Sequence, residues 1–316
     1  MASFQWQFDA PSGVYKQHAL SKRLYEAAVE TSVLLPHVQP VDGYGKGMGE
    51  NVTLTRVKTI TEPTSANLTE GTRIPEDTYA INTTSITVVE IGRAVPFTSF
   101  AKDLSFFDVE ASIQGRLRDQ MQLTLDTKVA TAFKTAKVKY GPTGLAAGTF
   151  DTDGTMSTTA TENLNVFHVE EIRDYLFDTL HCPKLGGGDY LGIFRDLGLR
   201  GIKRDPTWDE WHKYTDPQAK FNNEIGRIEE VRFITTNHAN AFAKKGTGSV
   251  LGEGVIFGAD GVAMAEVLSP ELRAQLNHGQ DFGRSHAVAW YGILEFGLIW
   301  DTANAGEARV VHVTSA

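Results

Sequence analysis

The chain has 316 residues, 41% of them hydrophobic and 22% charged, and carries a formal net charge of −9. That length buries a sizeable core and has room for two domains, while the acidic balance and scattered Lys and Arg argue against a protein that grips phosphates with a cationic face. The single Cys182 excludes an internal disulfide framework and reads as a passive thiol in a reducing compartment.

Residues 1–9 (MASFQWQFD) lack the basic start and apolar run of a signal peptide. The longest apolar stretch, 287–300, is too short to span a membrane and contains Glu295. The expectation is a soluble protein made in the cytoplasm, with no membrane partner. The N-terminal segment spaces Phe4, Trp6 and Phe8, then Tyr15, Leu20 and Leu24, along an otherwise polar stretch. The glycine-rich run 43–49 (GYGKGMG) does not match the dinucleotide fingerprint and precedes a strand where that motif needs a helix; it reads as a hinge.

From residue 51 to 91 there are eleven Thr among 41 residues, interleaved with Val52, Leu54, Val57, Ile60, Ile81, Ile86, Val88, Val89 and Ile91, a β-favouring composition. Alternation puts Val52, Leu54, Arg56, Lys58 and Ile60 on one face, and neither face is apolar enough to seal a core. The middle, 61–75, holds the Pro, Gly, Ser and Asn of a turn region. A projecting two-stranded arm is expected, and because an isolated hairpin is marginal in water, another copy of the chain is the simplest cover for it. An ordinary surface hairpin lying on its own domain is the alternative.

A helix is predicted over 103–137, with Asp103 as N-cap. Its apolar residues Val109, Ile113, Leu117, Met121, Leu125, Val129 and Phe133 recur every four positions. At 3.6 residues per turn each step advances the stripe by about 40°, so six steps turn it by roughly 240°. Such a spine meets several partners in succession, including the sheet of its own domain.

Past the spine, residues 138–165 read as a connector with a short hairpin. An amphipathic helix follows over 166–180, then a buried strand at 190–194, a short helix from Asp205-Pro206, strands at 230–235 and 255–257, and a short helix near 260–265. This alternation predicts one compact α/β domain. The stretch 286–300 is apolar on both faces and must be covered on both. It is expected to form a terminal hairpin with 308–314 that buries against the spine, which makes the central domain an insertion.

Motifs for chemistry are scarce. Phosphate-loop, nucleophile-elbow and zinc-helix signatures are absent from the sequence. The run 151–154 (DTDG) resembles part of a calcium loop, but Ala160 stands where the closing glutamate belongs. Trp208, Trp211 and Tyr214, beside His212, form an aromatic cluster at helical spacing, read as core or interface in preference to a stacking platform for a sugar or base. The Asn-x-Thr triplets at Asn51, Asn67 and Asn82 have meaning only in a secreted protein.

The order of parts resembles the major capsid protein of tailed double-stranded DNA bacteriophages, the HK97-like fold. The local sequence is similar to a coat-protein family of short-tailed phages at 68–71 (LTEG), from 97–99 (FTS) through Leu104 into the helix with Gln120 and Asp126, and at 257–261 (FGADG). The resemblance covers nearly the whole chain. It implies an α+β fold with an N-terminal arm (1–45), an extended loop (46–92), a peripheral domain (93–150 and 284–316) and an inserted axial α/β domain (151–283).

It further implies a non-enzymatic shell subunit without cofactor or metal, assembling with itself into hexamers and pentamers in the host bacterial cytoplasm. Scaffolding, portal and cement proteins are its further partners, and double-stranded DNA is enclosed without sequence-specific binding. The short segment before the loop points to a separate scaffolding protein. Some relatives crosslink a loop lysine to a neighbour's asparagine; Lys58 is the only lysine of the loop past its base. The expected intersubunit residues are Trp6, Phe8, Tyr15, Leu24, Arg56, Lys58, Ile60, Leu68, Glu70, Arg73, Ile74, Trp208 and Trp211. Two other readings stand beside this one: an encapsulin-like nanocompartment shell, and a cytosolic α/β enzyme using the 208–214 aromatics.

Overall fold

The computed structural model describes residues 29–30, 32–60, 62–63, 65–105, 108–206, 224–244, 252–276 and 284–316. Trp6, Phe8, Tyr15 and Leu24, the 208–214 aromatics, and all but the start of the helix expected at 205–206 lie outside them.

Two larger sheets organise the described residues. The first runs in the order β1-β11-β12-β4, where β1 is Gln39–Pro40, β4 Val89–Thr98, β11 Val262–Leu276 and β12 Ser285–Leu298. The second has seven strands: β5 (Val138–Gly144), β6 (Ala147–Asp151), β7 (Tyr190–Arg195), β8 (Glu224–Ile228), β9 (Val231–Thr236), β10 (Gly252–Phe257) and β13 (Val310–Ser315). Their order is β6-β5-β13-β10-β7-β9-β8. A third, two-stranded sheet pairs β2 (Asn51–Val57) with β3 (Ile81–Thr87).

The central strands of the seven-stranded sheet are apolar on both sides because both sides are covered. Val169, Ile172 and Leu176, from α3 (Val166–Asp174) and the π-helical turn that continues it, bury one face with Tyr190, Phe194, Ile256 and Val311. The long helix α2 (Val109–Lys134) covers the other face, where Leu125, Val129 and Phe133 meet Ile193, Val255, Phe257 and Val310. Phe133 and Phe257 meet with their rings tilted by 37° and their centroids 4.7 Å apart.

The turning stripe of α2 behaves as its spacing predicts. Its first half places Leu117 against Val288 and Trp290 of β12, and its second half moves on to the seven-stranded sheet. Ion pairs tie it to both, Lys128 to Glu295 at 2.6 Å and Lys134 to Glu253 at 2.7 Å. At 1.5 Å per residue the 26-residue helix spans about 39 Å. No helix among the described residues is long and apolar enough to cross a membrane.

Three expectations need correction. The predicted helix over 103–137 is two helices: α1 (Ser99–Leu104) ends at Ser105, which is extended, and α2 begins at Val109. Asp103 lies inside α1; Thr98 Oγ1 accepts from Ala101 N at 3.2 Å and Asp108 Oδ1 from Ala111 N at 3.1 Å, so two competing N-caps divide the run. The terminal hairpin does not form. β12 lies between β11 and β4, while β13 enters the middle of the other sheet, antiparallel to β10 and parallel to β5. All six β13 residues are buried, as suits a central strand covered on both faces. On β12 only the face of Val288, Trp290, Leu294, Phe296 and Leu298 is buried; the opposite face is half-covered. Finally, residues 262–265 open β11 instead of a helix: Asp260, at φ +55°, turns the chain straight into pairing with β12.

Candidate assembly interface

The glycine-rich run places Gly43, Gly47 and Gly49 at φ +77°, +86° and +85°, a backbone conformation open to glycine without steric cost. Tyr44 closes the turn by donating to the Gly49 carbonyl at 2.8 Å. The chain then enters the β2–β3 hairpin, whose register runs from Asn51 opposite Thr87 to Val57 opposite Ile81.

The foot of this hairpin rests on its own subunit. Val52 and Ile86 are buried with Ala263 and Ala265 of β11. A Cβ on Gly297 would sit 2.9 Å from Ile86 Cγ1, so the glycine makes the seat. The face holding Val52, Leu54 and Arg56 therefore does close a small core, because alanines and a glycine opposite it let β11 and β12 approach. Beyond the foot the picture reverses. Every described residue in 59–80 is exposed.

The expected site residues divide along the same line. Ile60, Leu68 and Ile74 are each more than half exposed; Glu70 is exposed, and Arg73 pairs with Glu76, which is exposed as well. Lys58, at the boundary, is half-buried. Arg56 differs: it is 9% exposed and lies against Trp300.

Behind the hairpin, Asp126 of α2 is fully buried and acts as a clasp. Its Oδ1 accepts from Leu34 N at 2.7 Å, Ser32 Oγ at 3.0 Å and Leu35 N at 3.3 Å; its Oδ2 lies 3.2 Å from Nδ1 of the buried His238. His238 Nε2 lies 3.7 Å from Glu30, and Arg195 holds the same loop by donating to the carbonyls of His238 and Phe242. One carboxylate thus joins three parts of the chain: the segment at 32–35, the long helix and the loop after β9.

A model described as the phage capsid family matches residues 13–177, just over half of the chain. The chain belongs to that family. It is a structural protein, a phage major capsid protein, whose place is the virion shell.

Solved capsids agree on its HK97-like α+β fold. The cyanophage Pam1 capsid asymmetric unit superposes with a TM-score of 0.71 at 14% identity, covering 100% of this chain and 99% of that one. The acid-stable capsid of Helicobacter pylori bacteriophage KHP30 gives 0.70 at 12% identity, with 96% of each chain covered. Mycobacterium phage Che8 gives 0.62 at 13% identity, covering 95% and 97%. No curated protein matches the chain. The nanocompartment and enzyme readings are not favoured by these findings.

Within the capsid protein, the residues that carried the sequence resemblance have identifiable work. Gln120 Oε1 accepts from the buried Trp290 indole at 3.3 Å, Asp126 is the clasp, and 257–261 forms the turn between β10 and β11. Asp151 and Asp153 are occupied by the loop itself, accepting from Ser157 N and Oγ and from Thr155 N. Sequence reading missed two surfaces. Phe100 and Leu104 project from α1 into solvent, and their i, i+4 spacing was a signal hidden by treating 103 as a helix start. A groove between β4 and α2, with adjoining cavities of about 280 and 420 Å³ that share Gln120, left no trace in the sequence because it arises from tertiary packing.

Proposed function

We propose that copies of this capsid protein assemble as hexamers and pentamers into a closed icosahedral head enclosing double-stranded DNA, and that the extended hairpin is the element by which each copy covers its neighbour. The observation that carries this reading is the exposure of 59–80 together with its apolar residues Ile60, Leu68, Ile74 and Tyr79. A single chain leaves these in water, where burying each would contribute roughly 1.5–3 kcal/mol. Residues 1–45 form the N-terminal arm, 46–92 the extended loop, 93–150 with 284–316 the peripheral domain and 151–283 the axial domain. Trp6, Phe8, Tyr15, Leu24, Trp208 and Trp211 add contacts of the same kind, and Lys58 stands where the loop leaves its seat.

Many modest contacts that close together stabilise a shell without any one being strong, and weak single contacts let misplaced copies leave. The net charge of −9 suits a shell that holds DNA without gluing it in place. The protein acts as a structural subunit and not as an enzyme. It assembles in the host cytoplasm, with scaffolding, portal and cement proteins as its further partners. Deletion of 62–78 tests the reading: the expected product is a folded subunit, with wild-type helix content, that forms no closed shells. Wild-type particles from the deletion would refute it.

A further inference from the structure

Arg56 lies on the hairpin and Arg309 just before β13, yet both guanidinium groups lie against the ring of Trp300, at 5.8 and 5.3 Å from its centroid. The sum of these distances bounds the separation of the two cations at about 11 Å. In each, Nε and Nη1 are buried and have no hydrogen-bond partner among the described residues. An aromatic face attracts the charge of a guanidinium but offers nothing to N–H groups lying in its plane, and buried donors without acceptors are costly. The carboxylates of the same connection do not answer them. Asp301 pairs with Lys137 at 3.8 Å, and Glu307 makes no ion pair with either arginine.

We propose that the Arg56–Trp300–Arg309 stack is a receptor for a carboxylate side chain of a neighbouring copy, an inference that rests on the assembly reading above. A guanidinium edge matches the planar, two-oxygen acceptor of Asp or Glu. Each copy brings 39 acidic residues against 30 basic ones, so carboxylates are the anions that neighbouring copies present to one another. Trp300 and Arg309 remain partly exposed, and Nη2 of each arginine is not among the buried donors, which leaves that corner of the stack open to an incoming group. The foot of the hairpin is then completed only when a second copy arrives, and hairpin seating and shell closure become one event.

The test uses full-length Arg56→Lys and Arg309→Lys chains, assembled and then treated with a zero-length carbodiimide coupling reagent. The expected result is a peptide joining the introduced amine to an Asp or Glu, present in particles, absent from unassembled subunits and running as a covalent dimer. Arg56→Met is expected to raise the subunit concentration needed for assembly by about thirtyfold or more, in line with removing one partner of a buried charged pair. Particles with no such peptide, or the same peptide in isolated subunits, would overturn the receptor while leaving the assembly reading intact. Failure of the wild-type chain to form particles when produced together with the other head proteins of its phage would overturn both. Stabilisation of the isolated wild-type subunit, but not of Arg56→Met, by inorganic phosphate over chloride would assign the stack to a free anion and so overturn the neighbouring carboxylate.

Discussion

Single residues set how firmly the parts are held. At Asp126 one buried carboxylate accepts from two backbone amides and a hydroxyl and faces an imidazole. Asp126→Ala leaves those groups without an acceptor, and at 1–3 kcal/mol for an orphaned buried donor a loss of roughly 3 kcal/mol or more is expected. Asp126→Asn keeps one acceptor oxygen and is expected to lose less. Urea unfolding of the two variants checks the order, and an equal loss would contradict the clasp.

His312 offers a pH test. Burial holds its pKa down at about 4, with Lys139 and Lys134 adding to the depression and Glu253 opposing it. The unfolded chain takes up the proton near pH 6.5 and the folded one only near 4. Stability from this group is therefore complete above about pH 6.5 and falls as the pH drops to about 4, by about 3 kcal/mol. His312→Asn is expected to flatten that part of the stability profile; an unchanged acid slope would show that His312 does not supply it.

At the scale of elements, the hairpin and the spine were both legible because their patterns are local. Alternating Thr and aliphatic residues on either side of a turn region placed β2 and β3, and the constant spacing of four announced a helix that changes partners. Burial of the foot was not legible, because it depends on Ala263, Ala265 and Gly297, more than 170 positions downstream, being small enough to admit Val52 and Ile86. The division at Ser105 was missed because Thr98, Asp103 and Asp108 are all acceptable caps, and choosing among them takes the β4–β12 pairing that fixes where α1 starts. The destination of β13 was missed for a related reason. A hairpin with the preceding strand is the nearest pairing, whereas its true neighbours, β10 and β5, lie far back in the chain and one of them is parallel. The seat yields its own prediction: Gly297→Ala forces Ile86 aside and is expected to cost about 1–3 kcal/mol and to speed proteolysis within 51–87. Adding Ile86→Ala makes room for the new methyl group and is expected to restore protection. A double variant cleaved as fast as the single one would rule out this seat.

For the molecule as a whole, the long helix is the joint. It packs on one sheet with its first half and on the other with its second, and Lys128 and Lys134 bind it to each. This gives a stiff body from which the hairpin tip, α1 and the groove beside β4 face outward. The contacts proposed for this capsid protein use parts that a lone subunit does not need for its own core. The exposure of Ile60, Leu68 and Ile74 at the tip was legible because apolar side chains on a turn-rich loop have no local cover. The groove and the arginine stack were not, because residues distant in sequence build them.

The most direct measurement is an electron cryo-microscopy map of the assembled particle at side-chain resolution. It is expected to show residues 59–80 lying on an adjacent copy, with Ile60, Leu68 and Ile74 buried at that contact. A closed shell in which this segment stays in solvent, or folds back onto its own subunit, would contradict the account.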